Sequence, residues 1–508
     1  MTAPLDNAAA SDETSPVFPG AKVTHGDPRY PTLVRGFNLR WVGKPSYVQV
    51  CGSPEQVRDA VQTALDAKLR VTVRSGGHCY EDFVSRNDGG VIIDVSPLNG
   101  VYREGDLYCV ESGCILWNVY TRLYKEYAVT LPAGSCYSTG AGGHICGGGY
   151  GLMSRKYGLT VDCLYAVQLV YVTSDGKAEL ITVTRDEDDP VRRELFWAHQ
   201  GGGGGNFGIV TRYWFKDLPP APAWAYIKTV AWNWSDMDEG QFRELMTNYG
   251  EFFEANSDVN SPYKDLFALM HLTNYTAGQI GLTVQYVGPK PELLDTFVKA
   301  ISPSKAPRQA LRVPVGYQHT TQPVEQTQHL PWLDAAQTVN GSGPNRRGKY
   351  KSAYMKRAFP QAQLDVMWHY LCEVQFYNTQ ALLQVDSYGC QVNAVKSEAT
   401  AVPQRSSVMK LQYQTYWVHE KDGPKNLEWI RGFYNDMYGP DGPMPDDTLD
   451  GCYVNYPDVD LKKWPLLYYG EKGYERLQQV KANWDPLNFF NHRQSIKLPR
   501  DAERQGKR

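Results

Sequence analysis

The most restrictive feature of this 508-residue sequence is the density of glycine between residues 131 and 151. Eight of these 21 residues are glycine, and residues 201–205 are five consecutive glycines. Glycine adds no side chain to a core and loses more backbone entropy on folding than any other residue, so this density needs a reason. The usual reason is a close approach of backbone to a flat or phosphorylated ligand. The two glycine clusters therefore predict a binding site built largely from backbone.

The composition is that of an ordinary globular protein. Lys and Arg number 52 and Asp and Glu number 55, so the net charge is −3, which argues against a nucleic-acid-binding protein with a basic surface. No stretch approaches the roughly 18 consecutive apolar residues of a membrane helix, and the first residues lack a secretory pattern. The ten cysteines include no C-x-x-C pair, which disfavours a zinc site and a disulfide framework. We expect a reduced, cytoplasmic protein that binds no metal, membrane or nucleic acid.

An early segment predicts a β-α-β unit. Residues 47–50 and 70–74 show strand patterns, and a helix begins between them, with Ser53 as its cap and Gln56 completing a capping box. Such crossovers produce parallel strands, and ligands of open α/β sheets bind beyond the carboxyl ends of the strands. The segment beyond the second strand is Ser75-Gly76-Gly77-His78.

The composition changes after residues 219–222, which read Pro-Pro-Ala-Pro. Strand-like runs then alternate with amphipathic helices, and the glycine clusters have no counterpart. We predict a loose N-terminal segment (1–34), a ligand-binding domain (35–220), a substrate domain (221–440), a return to the first domain (441–498) and a charged tail (499–508).

The glycine clusters do not match the common nucleotide motifs. Residues 140–143 give only half of a dinucleotide fingerprint, with a misplaced third glycine and no acidic residue at the usual distance. Neither cluster ends in the Gly-Lys-Ser/Thr of a P-loop. The pattern therefore disfavours a nicotinamide or ATP site without excluding one.

Taken together, the motifs resemble those of the berberine bridge enzyme-like oxidases in the vanillyl-alcohol oxidase/p-cresol methylhydroxylase (VAO/PCMH) superfamily. Within that family the sequence is most similar to bacterial oxidases of secondary metabolism, such as the glycopeptide hexose oxidases and aclacinomycin oxidoreductase. The motifs occur in family order: Arg-Ser-Gly-Gly-His (74–78), Cys136 with Gly-x-Gly-Gly-His (140–144), the glycine-rich segment 147–158, Trp-Ala to Phe-Gly (197–208), Tyr-Val-Asn-Tyr (453–456) and Asp-Pro-x-Asn-x-Phe (485–490).

The resemblance implies an α+β fold of the PCMH/VAO type, in which residues 35–220 and 441–498 bind FAD beneath a sheet-and-helix substrate domain. It implies that FAD is bonded covalently to His78 and to Cys136. Cys146 is the rival thiol, but its position does not match the family's linkage site. The remaining residues that the resemblance assigns to the cofactor are Arg74, Ser75, Gly76, Gly77, Gly140, Gly142, Gly143, His144, Gly147, Gly208 and Asn488.

Oxidation of an alcohol needs a base for the hydroxyl proton and a cofactor that accepts hydride. The resemblance implies Tyr456 and Tyr150 as the active-site tyrosines. A phenol acts as a base only if a neighbouring positive charge lowers its pKa from about 10. Tyr80 is predicted to line the substrate pocket. We also expect Asn455 to lie on the opposite face of a strand from Tyr456.

Two amides complete the predicted substrate site. The resemblance implies that residues 388–394 form a strand of the substrate domain that faces the flavin, and Gln391 and Asn393 would share one face of that strand. Some plant members carry a catalytic carboxylate on that strand, whereas amides orient a substrate without acting as bases. The amides therefore favour alcohol oxidation over a berberine-type ring closure.

The sequence thus predicts an FAD-dependent oxidase that converts a CH–OH group of a sugar or glycosylated secondary metabolite to a carbonyl or acid. The resemblance associates the residue three positions after the flavin cysteine with access of O2 to the flavin. Here that residue is the small Thr139, which favours an oxidase with H2O2 as product. One alternative is an oxidative cyclase or desaturase of an alkaloid, terpenoid or polyketide. Another is a flavin or glycan carrier without turnover.

Overall fold

Three β-sheets organise the residues that the structure describes, and each sheet is drawn from a separate stretch of sequence. The computed structural model describes residues 18–311, 327–372 and 375–499. Sheet I has the strand order β1-β2-β4-β3. Its strands are β1 (Ala21–Thr24), β2 (Tyr47–Val50), β3 (Val71–Arg74) and β4 (Val91–Asp94).

The predicted β-α-β unit is present in sheet I. Helix α2 (Pro54–Asp66) joins β2 to β3, and Ser53 Oγ accepts a hydrogen bond from Gln56 N at 3.2 Å. The Gln56 side chain, however, accepts from Gly52 N at 2.8 Å rather than closing a capping box. Strands β2 and β3 are parallel as predicted, but β4 lies between them and pairs with both.

The prediction of a loose segment over residues 1–34 is wrong for its second part. Strand β1 pairs antiparallel with β2 and buries Val23, and helix α1 (Tyr30–Leu33) buries Tyr30. A single edge strand of four residues is too short to give a periodic signal, which explains why the pattern was missed. Residues 1–17 and all but the first residue of the predicted tail lie outside the described residues.

Sheet II is antiparallel, with the strand order β5-β6-β9-β7-β8. Its strands are β5 (Val101–Glu104), β6 (Leu107–Glu111), β7 (Leu164–Val172), β8 (Ala178–Thr184) and β9 (Ile209–Phe215). Both glycine clusters lie in connections of this sheet. The helices of the same stretch are α3 (Leu116–Tyr127), α4 (Ala141–Cys146), α5 (Ser154–Tyr157) and α6 (Pro190–Ala198).

Sheet III has seven antiparallel strands in the order β13-β10-β12-β11-β15-β16-β14. They are β10 (Trp224–Asn233), β11 (Leu266–Thr273), β12 (Gln279–Tyr286), β13 (Thr327–Pro331), β14 (Arg347–Met355), β15 (Leu382–Ser387) and β16 (Met409–Trp417). Its helices are α7 (Glu239–Ala255), α8 (Glu292–Ile301), α9 (Trp332–Thr338), α10 (Gln361–Leu371) and α11 (Gly423–Tyr438). Strands β11, β12 and β16 are buried along their whole length, so both faces of the sheet centre are covered.

After sheet III the chain packs again on the first two sheets. Helix α12 (Trp464–Trp484) bends at Gly470, where φ is +66°, and contacts α6. Its buried Lys481 donates to Asn206 O and to Asp485, each at 2.6 Å. Asp485 in turn accepts from the N–H of Phe490 at 3.0 Å. The motif that begins at Asp485 therefore closes the chain end onto the second glycine cluster. None of the helices in the described ranges is long and apolar enough to cross a membrane.

A buried group of charges ties sheet III to two loops. Lys349 of β14 contacts both Glu81 and Asp458, the latter at 2.5 Å, and Lys351 contacts Asp458 at 2.7 Å. Asp460 completes the group, 3.4 Å from Lys349. Burial alone would raise the pKa of Asp458, but the two lysines outweigh it and hold that pKa below its ordinary value.

We predict that Asp458→Asn lowers the free energy of unfolding by about 3–5 kcal/mol, because it leaves buried lysines without their shared carboxylate. Urea unfolding followed by tryptophan fluorescence measures the change. The control is Asp441→Asn, which breaks the exposed Lys463–Asp441 pair at a cost of at most about 1 kcal/mol. Equal losses in the two variants would contradict the structural role of Asp458.

Candidate active site

A cavity of about 410 Å³ lies where the three sheets meet. Its lining includes the carboxyl end of β3, both glycine clusters, strands β11, β15 and β16, and the loop before α12. A cavity at such a junction matches the position in which binding sites of multidomain proteins commonly occur.

The turn after β3 presents unpaired backbone donors. Residues 75–78 line the cavity, and Gly77 has a φ of +73°. Within the described part of the chain, their four N–H groups donate to no protein acceptor. Successive free N–H groups in such a turn form a concave site for anions such as a diphosphate. This is the strand end at which the sequence predicted a ligand.

The turn after β3 and the first glycine cluster (131–151) meet backbone to backbone. A Cβ placed on Gly140 would lie 2.1 Å from Ser75 Oγ and 2.2 Å from Gly76 N. A Cβ on Gly76 would lie 2.2 Å from Gly140 N. Gly143, by contrast, lines the cavity with no protein atom within 4 Å of its missing Cβ. The glycines thus have two uses here: some allow the loops to touch, and Gly143 leaves open space.

His78 and Cys136 lie on the same wall. The His78 ring stacks on Phe37 with centroids 4.5 Å apart, and its Nε2 lies 2.9 Å from Ser138 Oγ. Cys136 Sγ lies 4.0 Å from Ser138 Oγ and 3.8 Å from Ser342 Oγ. Burial lowers the pKa of His78 to about 4, so its imidazole is neutral at pH 7.

Cys146, the rival thiol, also lines the cavity, but its sulfur contacts the hydroxyl of another side chain. Its Sγ lies 2.9 Å from Tyr213 OH, and burial raises its pKa to about 11. A thiol held in its protonated form is a poor nucleophile.

His144 Nε2 accepts from Gly134 N at 3.1 Å, and its carbonyl accepts from Asn455 at 2.9 Å, so this histidine joins three cavity loops.

Tyr456 and Tyr150 converge on one ammonium group. Lys410 Nζ donates to Tyr456 OH at 3.1 Å and lies 4.4 Å and 4.7 Å from the ring centroids of Tyr456 and Tyr150. Asp386 pairs with Lys410 at 2.8 Å. Tyr150 donates to the carbonyl of Ser387. Burial raises the pKa of Tyr456 well above its ordinary value, and the Asp386 carboxylate raises it further. The neighbouring Lys410 ammonium therefore does not give Tyr456 the lowered pKa that the sequence argument required of a tyrosine base.

Tyr80 lies beside these tyrosines. Its ring stacks on Tyr350 with centroids 3.6 Å apart and lies 5.7 Å from the ring of Tyr456. Gln412 donates to its hydroxyl at 3.3 Å.

Sheet III supplies polar residues that sequence reasoning missed. Gln384 pairs across the sheet with Gln412, and Asp386 pairs with Lys410, so these side chains form one polar patch. Gln414 donates to Gln384 at 3.2 Å. The sequence did contain a signal for this patch, because Lys410, Gln412 and Gln414 occupy every second position of a strand whose other positions are mainly apolar. The residues of this patch that line the cavity are His271, Gln384, Asp386, Gln412 and Gln414.

The predicted strand over residues 388–394 is absent. Strand β15 ends at Ser387, and a 3-10 turn over Cys390–Val392 follows, with Cys390 at φ +56°. Gln391 and Asn393 therefore lie outside the cavity lining, and Asn393 donates to Ser407 O at 2.9 Å. The amides that face the cavity belong to β15 and β16 instead.

At three further positions the structure differs from the prediction. Asn488 lies in the turn set by Asp485 and does not line the cavity, and neither does Gly147, whose missing Cβ would lie 2.0 Å from Asn455 Oδ1. Residues 453–456 form a turn, not a strand, so Asn455 and Tyr456 both line the cavity. The remaining predicted site residues all line it: Arg74, Ser75, Gly76, Gly77, His78, Tyr80, Cys136, Gly140, Gly142, Gly143, His144, Tyr150, Gly208 and Tyr456.

We predict that Gly140→Ala destabilises the protein by about 1–3 kcal/mol, because its Cβ would overlap the Ser75–Gly76 backbone. Gly26→Ala is the control, since no atom lies within 4 Å of that Cβ. Thermal unfolding compares the two variants, and a Gly140→Ala protein as stable as the control would show that the two loops do not touch.

Comparisons with known proteins identify the family to which this chain belongs. Residues 45–181 match a family model described as an FAD binding domain, and residues 452–497 match one described as berberine and berberine like. Aclacinomycin-N/aclacinomycin-A oxidase of Streptomyces galilaeus is 38% identical, with 94% of this chain and 90% of that protein covered. Hexose oxidase of Chondrus crispus is also 38% identical, with coverages of 92% and 93%.

Among solved structures, a glycopeptide hexose oxidase complexed with teicoplanin matches with a TM-score of 0.87 and 37% identity, covering 95% of this chain and all of that one. Aclacinomycin oxidoreductase matches with a TM-score of 0.86 and 37% identity, with coverages of 94% and 100%. The predicted α+β fold of the PCMH/VAO type is thereby confirmed. The chain belongs to the berberine bridge enzyme-like family of FAD-linked oxidoreductases.

Proposed function

We propose that this protein is an FAD-dependent oxidase whose flavin is bonded to both His78 and Cys136. It oxidises a CH–OH group of a sugar or glycosylated secondary metabolite to a carbonyl or acid, with O2 as acceptor and H2O2 as product. The observation that carries the proposal is the presence of His78, Cys136 and Tyr456 on the walls of one cavity.

The residues of the cavity fit FAD. The free N–H groups of residues 75–78 suit its diphosphate, and the open space at Gly143 suits a planar ring. The neutral imidazole of His78 has a lone pair with which to bond carbon. The thiol of Cys136 is half-exposed and lies near the hydroxyl groups of Ser138 and Ser342, whereas Cys146 is buried.

FAD, when bound, supplies the hydride acceptor that side chains cannot provide. Tyr456 takes the substrate hydroxyl proton, and for this its phenolate must form within the cavity. Lys410 stabilises the phenolate through its hydrogen bond and through its position over the ring. Asp386 holds Lys410 in place, at the cost of raising the pKa of Tyr456.

The polar patch of sheet III suits a polyhydroxylated substrate. Each glutamine amide offers both a donor and an acceptor, and Gln384, Gln412 and Gln414 lie side by side on the cavity wall. The name of one similar protein, a hexose oxidase, supports a sugar as the oxidised group.

The test is a substrate panel of free sugars, glycosylated aromatic metabolites and unglycosylated alkaloid or polyketide precursors. We expect O2 consumption, with H2O2 released in equal amount to each carbonyl formed on a sugar ring. Ring closure or desaturation without a new carbonyl would favour the cyclase or desaturase alternative. Flavin that stays oxidised with every substrate under anaerobic conditions would favour a carrier.

We predict that Tyr456→Phe lowers turnover by about 10²–10⁴, the usual contribution of a positioned base. Tyr354→Phe is the control, because Tyr354 is a buried tyrosine that does not line the cavity. Stopped-flow measurement of flavin reduction separates the chemical step from product release. Near-normal reduction in Tyr456→Phe would remove this residue from the mechanism.

A second prediction concerns the pH dependence of flavin reduction. Because the pKa of Tyr456 is raised, we expect the rate to increase with pH into the alkaline range. Asp386→Asn removes a negative charge, so the rise should move to lower pH. Lys410→Met removes the stabilising positive charge, so the rise should move to higher pH. Shifts in the same direction would contradict the proposed electrostatics.

A further inference from the structure

Ser138 lies between the two side chains proposed to bind the flavin. Its Oγ is 2.9 Å from His78 Nε2 and 4.0 Å from Cys136 Sγ, so one hydroxyl contacts both groups. A serine hydroxyl donates one hydrogen bond and accepts two, and can therefore pass a proton between two neighbours. No role in the oxidation of substrate explains this position.

We propose that the Ser138 hydroxyl is a proton relay, which carries the thiol proton of Cys136 to His78 Nε2 and so accelerates formation of the second flavin bond. The inference rests on the proposed twofold attachment. It assigns to Ser138 a role in maturation of the enzyme rather than in turnover.

The order of the two bonds follows from the imidazole. Its Nε2 faces Ser138, so Nδ1 is the nitrogen left to bond the flavin methyl carbon. Before that bond forms, Nε2 carries the ring proton and donates to Ser138. Formation of the bond at Nδ1 releases one proton from the methyl carbon and the proton on Nε2, and O2 takes the two electrons and becomes H2O2. The resulting neutral ring, which burial favours, has only a lone pair at Nε2. The Ser138 hydroxyl then turns to donate to Nε2 and is free to accept from the thiol.

The second bond then forms with its atoms and electrons balanced. The thiol proton moves to Ser138 Oγ as the Ser138 proton moves to His78 Nε2. The sulfur electron pair forms the bond to ring carbon 6, and the hydrogen on that carbon leaves as a proton. The two electrons left on the ring are removed by O2, the acceptor of the proposed reaction, which becomes H2O2.

Ser342 provides the matched control. Its Oγ lies 3.8 Å from Cys136 Sγ, closer than that of Ser138, but it accepts from Ser138 N at 2.9 Å and does not contact His78. Removal of the Ser342 hydroxyl therefore alters the surroundings of the Cys136 thiol but leaves the proposed proton path through Ser138 to His78 intact.

The experiment is a time course of flavin attachment to the full-length chain, synthesised by cell-free translation with FAD present. Samples are quenched in acid, free thiols are alkylated, and tryptic peptides that contain residue 78 or residue 136 are quantified by mass spectrometry. We expect Ser138→Ala to slow the Cys136 bond tenfold or more while the His78 bond still forms. Ser138→Thr, which keeps the hydroxyl, and Ser342→Ala should match the wild type within about twofold.

A double variant distinguishes loss of the proton relay from a general disturbance of the loop that carries Ser138 and Cys136. His78→Ala removes the proton acceptor, so its Cys136 bond should form as slowly as in Ser138→Ala, and combining the two changes should add no further loss. A wild-type rate in Ser138→Ala, an equal loss in Ser342→Ala, or additive losses in the double variant would each overturn the relay. A wild-type protein that never bonds Cys136 would instead refute the proposed twofold attachment.

Discussion

The buried contact of Lys349 and Lys351 with Glu81 and Asp458 fixes the relative positions of the active-site elements. Removing a charge from water costs several kcal/mol unless an opposite charge accompanies it. Neither loop can therefore leave β14 without exposing an unpaired charge to the interior. Glu81 directly follows Tyr80, and Asp458 lies two residues after the proposed base. The charge cluster thus sets the distance between the turn that carries His78 and the loop that carries Tyr456.

The cavity has two chemically different walls. One wall is backbone, formed by glycine loops that touch each other and by the free N–H groups after β3. The other is a side-chain wall, formed by alternating polar residues of β15 and β16. A backbone wall changes little with substitution, whereas each position of a strand can be exchanged separately. This division suits a family that keeps one cofactor and accepts different substrates.

The sequence predicted the structure best at positions where the backbone conformation requires a particular type of residue. The glycine clusters, the strand end at residues 75–78 and the helix cap at Ser53 were all placed correctly. The sequence was least informative about which strands pair when they are far apart in the chain. The insertion of β4 between β2 and β3 depends on contacts that no local pattern records. The strand predicted over residues 388–394 failed because Gly389 and Cys390 both have positive φ, which ends β15 early. The Asp386–Lys410 pair joins two strands 24 residues apart and could be identified only from the sheet register.

We propose that the cavity holds one FAD bonded at two points. The most direct measurement is the mass of the intact protein after denaturation, followed by peptide mapping. We predict one FAD per chain that survives denaturation, with a single flavin joining the peptide that contains His78 to the peptide that contains Cys136. A bare chain mass, or a flavin attached at any other residue, would contradict it.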